Sequence, residues 1–164
     1  MRRSLIATAA AVLVLAAPAA AGLPRAGTLV PGRSLGGVRL GESSDAVRAA
    51  LGGFYGTCRD CRRRTWYFTY RAFGRRGLAV EFAGGRVSGV YTVWSPAGWH
   101  APGKLRFGST PLAVHVLVGP TRSVTCPGYE ALVHDTAQAR TAYYLYAGRL
   151  WGFGLFRRGA APCR

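Results

Sequence analysis

The strongest restriction on the fold is a motif that occurs twice. Residues 40–52 (LGESSDAVRAALG) resemble residues 107–119 (FGSTPLAVHVLVG), which begin 67 positions later. After each stretch, a Thr-Cys dipeptide and then a glycine followed by arginine come in the same order, while the spacing between them drifts. This pattern predicts an internal duplication in which loop lengths have changed.

Each copy of the motif begins with a predicted helix. In the first copy, Ser43 or Ser44 can cap the helix N-terminus. In the second copy, Thr110 can cap the helix and Pro111 suits its first position. Three valines between positions 114 and 118 leave a short strand as the alternative, because β-branched residues disfavour helices. A glycine can end each helix.

Three strands are predicted to follow each helix, because alternating or β-branched apolar residues are separated by glycine turns. The strands are residues 66–73, 78–82 and 87–94 in the first copy, and residues 129–135, 141–146 and 150–156 in the second. The predicted fold class is therefore α+β, with two tandem helix-plus-three-strand antiparallel repeats and the helices on one face of the sheet.

Residues 1–21 have the features of a secretory signal peptide: a positive start, an apolar run over residues 5–17, and small residues before the cleavage site. The apolar run is shorter than the ~20 residues of a membrane helix. Arg2 and Arg3 leave open whether the general or the twin-arginine route exports the chain. We expect a secreted or extracytoplasmic protein of the cell envelope. The later segments are a flexible leader (22–33), repeat 1 (34–94), a linker (95–103), repeat 2 (104–158) and a tail (159–164).

Four cysteines follow the signal peptide, and an even number in an exported chain predicts disulfides with three possible connectivities. We favour Cys58–Cys61 and Cys126–Cys163, because the second bond would hold the tail. The Cys58–Cys61 spacing also matches a redox motif, so a thiol-active exported protein is an alternative function. No second cysteine pair or spaced histidines complete a zinc site.

Basic residues far outnumber acidic ones, 22 against 6, which gives a net charge of +16. A basic envelope module that binds an anionic polymer or a membrane surface is therefore another alternative. Export argues against a genomic nucleic-acid partner. The chain contains no H-E-x-x-H or phosphate-binding glycine motif. We expect no enzymatic activity, no cofactor and no metal.

Strand alternation predicts which side chains the helices leave uncovered. In the first repeat, the helix-facing set is Leu78, Val80, Phe82, Val87, Tyr91 and Val93. The outward set there is Ala79, Glu81, Ser88, Val90 and Thr92. The outward set of the second repeat is richer in aromatic residues: Ala142, Tyr144, Trp151, Phe153 and Leu155.

Exposed Trp, Tyr and Arg side chains dominate protein interfaces. The candidate protein-binding face therefore consists of Tyr67, Arg71, Trp94, Tyr144, Tyr146, Trp151 and Phe153. The alternative is that these side chains pack between the repeats or form a core. The expected function is an exported, non-enzymatic protein-binding module that uses this aromatic open face, with a protein partner whose identity is unknown.

The order of residues in the first copy also resembles a known family. Gly37 and Gly41, followed by Asp45, Val47 and the Leu-Gly pair at positions 51–52, resemble the opening of small envelope αβ modules. These include the β-lactamase inhibitory proteins and the SmpA/OmlA-type outer-membrane assembly lipoproteins. The tandem arrangement, over most of residues 34–158, is similar to the β-lactamase inhibitory proteins. The resemblance implies a sheet with helices on one face and an open face for proteins. The chain lacks the lipid-attached cysteine of the lipoproteins, and no inhibitor residue is carried over.

Overall fold

The computed structural model describes residues 27–58, 61–69 and 77–164. The predicted signal peptide, the first part of the predicted leader and the candidate residue Arg71 lie outside the described residues. Within those ranges, no helix combines the length and the apolar character needed to cross a lipid bilayer.

Three short strands begin the described chain and form a small antiparallel sheet of their own. They are β1 (Leu29–Val30), β2 (Ser34–Leu35) and β3 (Val38–Arg39). Leu29, Leu35 and Val38 are fully buried in the main core, so hydrophobic burial holds this segment in place. The described part of the predicted leader thus contains a strand.

Eight further strands form one antiparallel sheet. They are β4 (Gly56–Thr57), β5 (Arg64–Thr69), β6 (Gly77–Ala83), β7 (Arg86–Val93), β8 (Arg122–Cys126), β9 (Tyr129–Asp135), β10 (Ala139–Tyr146) and β11 (Arg149–Arg157). Their order across the sheet is β4-β5-β6-β7-β11-β10-β9-β8. The pairing of β7 with β11 therefore joins the N-terminal and C-terminal halves.

Two eight-residue helices accompany this sheet. They are α1 (Ser44–Leu51) and α2 (Pro111–Val118). The Ser43 hydroxyl accepts a hydrogen bond from the N–H of Ala46 at 3.2 Å, and the Thr110 hydroxyl accepts one from the N–H of Ala113 at 3.3 Å. These caps satisfy backbone donors that the first turn leaves unpaired. The helix interpretation of residues 111–118 is confirmed over the strand alternative.

The predicted fold class, α+β with two tandem helix-plus-three-strand repeats, is wrong. The described chain is mostly β, and its two helices are short. Two segments that were not predicted as strands, β4 and β8, pair at the two edges of the large sheet. Hydrogen bonds between β7 and β11 merge the strands into one sheet, and residues 29–39 add a separate three-stranded sheet. A two-residue strand such as β4 is too short to show alternation, so sequence patterning misses it.

Apolar side chains form a layer on each face of the large sheet, because successive strand residues point to opposite faces. We call the first layer the helix-side face, since it contains Val47, Leu51 and Val114 of the two helices. We call the second layer the tail-side face, since Ala160 and Cys163 of the C-terminal tail pack against it. The sheet is therefore covered on both faces.

Two β-bulges reverse the predicted facing of several side chains. The β6–β7 ladder leaves Ser88 without an opposite residue, and the β10–β11 ladder leaves Trp151 without one. An alternation counted along the sequence changes phase at such an extra residue. The reversed residues are Val90, Thr92, Phe153 and Leu155, which lie on the helix side, and Tyr91 and Val93, which lie on the tail side.

Both favoured disulfides are present. Cys58–Cys61 lies within the β4–β5 connection, and Cys126–Cys163 joins the end of β8 to the tail. The second bond fixes residues 159–164 against the tail-side face, where Cys163 and Ala160 contact the apolar layer.

Replacing Cys126 and Cys163 together by serine is expected to lower the free energy of unfolding by about 3–4 kcal/mol. The bond joins residues 37 apart and so restricts the unfolded chain strongly. The matched variant C58S/C61S opens a connection of only 3 residues and should cost much less. Urea denaturation followed by tryptophan fluorescence measures both losses, and equal losses would contradict this assignment.

Candidate functional site

Arg164 covers the middle of the tail-side face. Its guanidinium lies 4.2 Å from the ring centroid of Phe156 and 5.8 Å from that of Tyr91. Its Nε is 2.5 Å from Oε1 of Glu81, and its Nη2 is 3.0 Å from Oε2. Arg63 adds a second cation 3.2 Å from the same carboxylate. Because Glu81 is buried, water screens these charges only weakly.

Two tyrosine hydroxyls hold the tail in this position. The Tyr144 hydroxyl donates to the carbonyl oxygen of Pro162 at 2.7 Å. The Tyr129 hydroxyl accepts from the N–H of Arg164 at 2.6 Å and donates to its carbonyl oxygen at 2.7 Å. Burial raises the pKa of both phenols, so they keep the protons that they donate. This part of the tail-side face is therefore closed.

Aromatic side chains remain exposed at one end of the same face. Trp94 follows β7 and is 50% exposed, and Tyr146 ends β10 and is 64% exposed. Trp151 lies half-buried, with its ring centroid 6.4 Å from that of Trp94. Beneath it, the rings of Tyr129 and Tyr144 lie 5.6 and 6.0 Å away. We call Trp94, Tyr146 and Trp151 the aromatic patch.

The backbone around the patch has an unusual geometry. Trp94 has a φ of 59°, in the left-handed region that residues other than glycine rarely adopt. The hydroxyl of the next residue, Ser95, donates to the carbonyl oxygen of Trp151 at 2.9 Å. On the other side, Tyr146 precedes Ala147, whose φ of 46° belongs to the β10–β11 turn. Strained backbone of this kind persists only where its surroundings fix it.

The structure thus separates the predicted binding residues. The rings of Trp94 and Trp151 are in contact, and Tyr146 ends β10, which pairs with the strand of Trp151. Tyr67 is half-buried elsewhere on the tail-side face. Tyr144 is buried under the tail, and Phe153 is buried on the opposite, helix-side face. Their burial follows from the tail and from the bulge at Trp151, neither of which strand alternation reveals.

A cleft of about 540 Å³ opens beside the patch. Its lining includes Ser95, Trp99, Lys104, Arg106 and Phe107, and no acidic residue. The predicted linker, residues 95–103, forms much of this lining. Sequence reasoning missed the cleft because proline and glycine there indicated only a connection. A tryptophan at position 99, inside such a segment, was the one signal of a packed loop.

Acidic side chains in the described ranges are engaged elsewhere. Hydrogen bonding from Arg140, whose Nε is 2.6 Å from Oδ1, holds the pKa of the Asp135 carboxyl below its ordinary value. Arg122 also pairs with Asp135, at 3.5 Å, and the other ion pairs of the described residues involve Asp45 and Glu81. Within the described ranges, Lys104 and Arg106 make no ion pair, so the cleft keeps its positive charge.

The Cys58–Cys61 bond lies between two strands, whereas low-pKa thiols are typically found at a helix N-terminus. Among the described residues, no group of three His, Cys, Asp or Glu side chains is arranged to hold a metal ion. The two disulfides are compatible with an extracellular protein, because such bonds persist in oxidising compartments.

No family model and no curated protein matches this chain. Two solved structures are similar in fold. A DUF4309 family protein (YjgB) from Bacillus subtilis subsp. subtilis str. 168 gives a TM-score of 0.53 at 18% identity, covering 71% of this chain and 79% of that one. An extracellular protein containing a SCP domain from Bacillus anthracis str. Ames gives 0.53 at 11% identity, covering 73% of this chain but only 44% of that one.

Identities this low show a shared fold alone. Neither structure is described as a β-lactamase inhibitory protein or an outer-membrane assembly lipoprotein. The resemblance drawn from residues 37–52 therefore stays a prediction.

Replacing Arg164 by alanine is expected to lower the free energy of unfolding by about 3 kcal/mol, because the buried Glu81 carboxylate loses its nearest cation. The double variant E81Q/R164A should lose less than the sum of the two single variants. Denaturation at pH 7 measures the free energy of unfolding of each variant in this double-mutant cycle.

The matched control is Asp45→Asn, which breaks the pair with Arg48, in which the carboxylate is 83% exposed. It should cost under about 1 kcal/mol. Strictly additive losses at positions 81 and 164 would show that the two side chains do not interact.

Proposed function

We propose that this chain is an exported, non-enzymatic protein-binding module that uses the aromatic patch as its contact surface. The observation that carries this proposal is the ring contact between the exposed Trp94 and the half-buried Trp151, with the exposed Tyr146 at the end of the neighbouring strand β10. Single exposed apolar residues are common on soluble proteins, whereas grouped aromatic side chains are typical of interfaces. The tail covers the adjoining part of the face, so the contact surface is local and defined.

Rigidity of the patch supports the same proposal. Trp151 is supported from below by the rings of Tyr129 and Tyr144, and Ser95 ties the Trp94 segment to β11. Side chains that are already ordered lose little conformational entropy when a partner binds. Tyr and Trp also present large areas with few rotatable bonds, which favours their use as anchors.

Extracytoplasmic location, within the cell envelope or outside it, is part of the proposal. It is supported by the signal-peptide pattern of residues 1–21 and by the two disulfides. In such a setting, a small disulfide-bonded sheet can present a binding surface without depending on a reducing compartment.

The alternatives have less support from the described contacts. Arg63 pairs with the buried Glu81, and the guanidinium of Arg64 lies 5.3 Å from the ring centroid of Trp66. Part of the arginine run at positions 62–64 is thus used internally, which weakens the case for an anionic polymer there. Among the described residues, no helix begins at the Cys58–Cys61 bond to activate a thiol there.

A display library of short random peptides, selected on the mature protein, tests the proposal. For the peptides recovered, W94A and Y146A are each expected to weaken binding about tenfold or more, because single aromatic anchors contribute ~2 kcal/mol. Fluorescence polarisation measures the dissociation constants.

The matched control is Phe54→Ala, which removes another aromatic side chain, 77% exposed, from the connection after α1. It should leave binding unchanged. Peptides that bind W94A and Y146A as well as the unaltered protein would refute the patch as the contact surface.

A further inference from the structure

We infer that the cleft beside the aromatic patch binds a carboxylate, so that the partner segment recognised by this protein is acidic. The inference rests on the proposed protein-binding function and adds the chemistry of the partner. The cleft is formed by the 95–107 segment, and its lining combines two basic side chains with aromatic walls.

Charge is the first argument. Lys104 and Arg106 both line the cleft, and within the described ranges neither forms an ion pair. Elsewhere on the molecule, acidic side chains do accept arginine partners, as Asp135 does from Arg140. A guanidinium donates two parallel hydrogen bonds to a carboxylate, and an ammonium adds a further charge-assisted bond. The chemistry of the lining therefore matches a carboxylate.

A rigid aromatic wall is the second argument. Phe107 lines the cleft and stacks on the buried Phe153 with ring centroids 5.0 Å apart. Trp99 is 2% exposed and anchors the loop, since its ring fills the space beside Gly36, where an added Cβ would lie 2.7 Å from Cη2. The Phe107 ring suits the methylene groups of a glutamate or aspartate side chain, while the basic groups receive its charged end.

Backbone geometry is the third argument. Gly103 and Lys104 have φ values of 74° and 67°, so the turn that carries Lys104 is left-handed at two consecutive residues. The N–H of Ala101 donates to the carbonyl oxygen of Leu105 at 2.7 Å and closes this turn. A turn that is held closed in this way fixes the backbone of Lys104, so binding has to order only its side chain.

His100 positions the loop that carries these groups. Its Nδ1 lies 3.3 Å from the carbonyl oxygen of Gly98, and its Nε2 lies 3.2 Å from the hydroxyl of Thr28. The N–H of His100 also donates to the carbonyl oxygen of Gly27 at 3.1 Å. Both ring nitrogens are thus engaged within the protein, and Lys104 and Arg106 supply the binding charge.

Continuity with the patch favours a peptide over a free anion. Ser95 lines the cleft, follows Trp94 in the chain and donates to the carbonyl oxygen of Trp151. The step from Trp94 to Ser95 thus leads from the patch to the cleft, whose wall Phe107 packs on the helix side of the sheet. A segment that bends over this end of the sheet can place an apolar side chain on the patch and an acidic side chain in the cleft. Free phosphate or an anionic lipid surface would contact Lys104 and Arg106 but would not need the neighbouring aromatic patch.

The decisive experiment is a double-mutant cycle between protein and peptide. For peptides that require Trp94, replacing the acidic residue by its amide should weaken binding about tenfold to the unaltered protein. The same replacement should change binding less than twofold in K104M/R106M. The control R157M/R158M removes the same charge at the opposite end of β11 and should retain the tenfold effect.

The inference would be overturned if the amide replacement in the peptide weakened binding equally in K104M/R106M and R157M/R158M. General electrostatic attraction would then explain the loss. Peptides that bind independently of Trp94 would instead refute the proposed function.

For that case, the cleft is tested alone by NMR titration of the full mature protein with a capped Phe-Glu dipeptide and its Phe-Gln counterpart. Amide shifts at Gly98 and Lys104 with the glutamate form alone would support the inference. Equal shifts with both dipeptides, with inorganic phosphate or with phosphatidylglycerol vesicles would overturn it.

Discussion

Phe156 lies flat over the seam between the two halves of the sheet, because the residues beneath its ring have no side chains. An added Cβ at Gly89 would lie 2.6 Å from Cδ1 of Phe156, and one at Gly154 would lie 2.6 Å from Cε2. Both glycines belong to the β7–β11 pairing, in which Gly89 is opposite Phe156 itself. Arg164 then lies over this ring and reaches Glu81. The union of the two halves, the position of the tail and the closure of the tail-side face therefore depend on one set of close contacts.

Closure of that face limits where the proposed contact surface can lie. The tail covers Tyr144 and Tyr91, whereas Trp94 and Tyr146 stay exposed at an end that the tail does not cover. The connection after β7 is fixed by Trp99, which packs against the N-terminal segment, and its strained turn carries Lys104. The segments predicted as leader, linker and tail thus form part of the protein surface around the aromatic patch, and the strands lie beneath them.

Local signals in the sequence predicted local structure well. Thr110 and Pro111 identified a helix start despite the valines that follow, because capping and a preset φ act within one turn. The even number of cysteines and the predicted export of the chain indicated disulfides, and both favoured bonds are present. The predicted facing of strand residues was wrong after Ser88 and Trp151, because the sequence pattern does not show that either is an extra residue in its strand. The overall architecture was also missed, because β4 and β8 are defined by the strands they pair with. Of the seven predicted binding residues, Trp94, Tyr146 and Trp151 share one site, and the cleft beside them depends on chain segments that meet only in the fold.

Net charge alone would not locate the proposed contact surface. Arg48 and Arg64 lie 5.1 and 5.3 Å from the ring centroid of Trp66, and Arg164 lies 4.2 Å from that of Phe156. Guanidinium groups in these positions cover aromatic rings and make a favourable cation–π contact, so they contribute to packing as well as to charge. A basic residue becomes informative about a partner when the protein supplies neither an acidic group nor a ring for it and its backbone is fixed. By that criterion, applied to the described residues, Lys104 on its left-handed turn says more about the proposed partner than the total charge of +16 does.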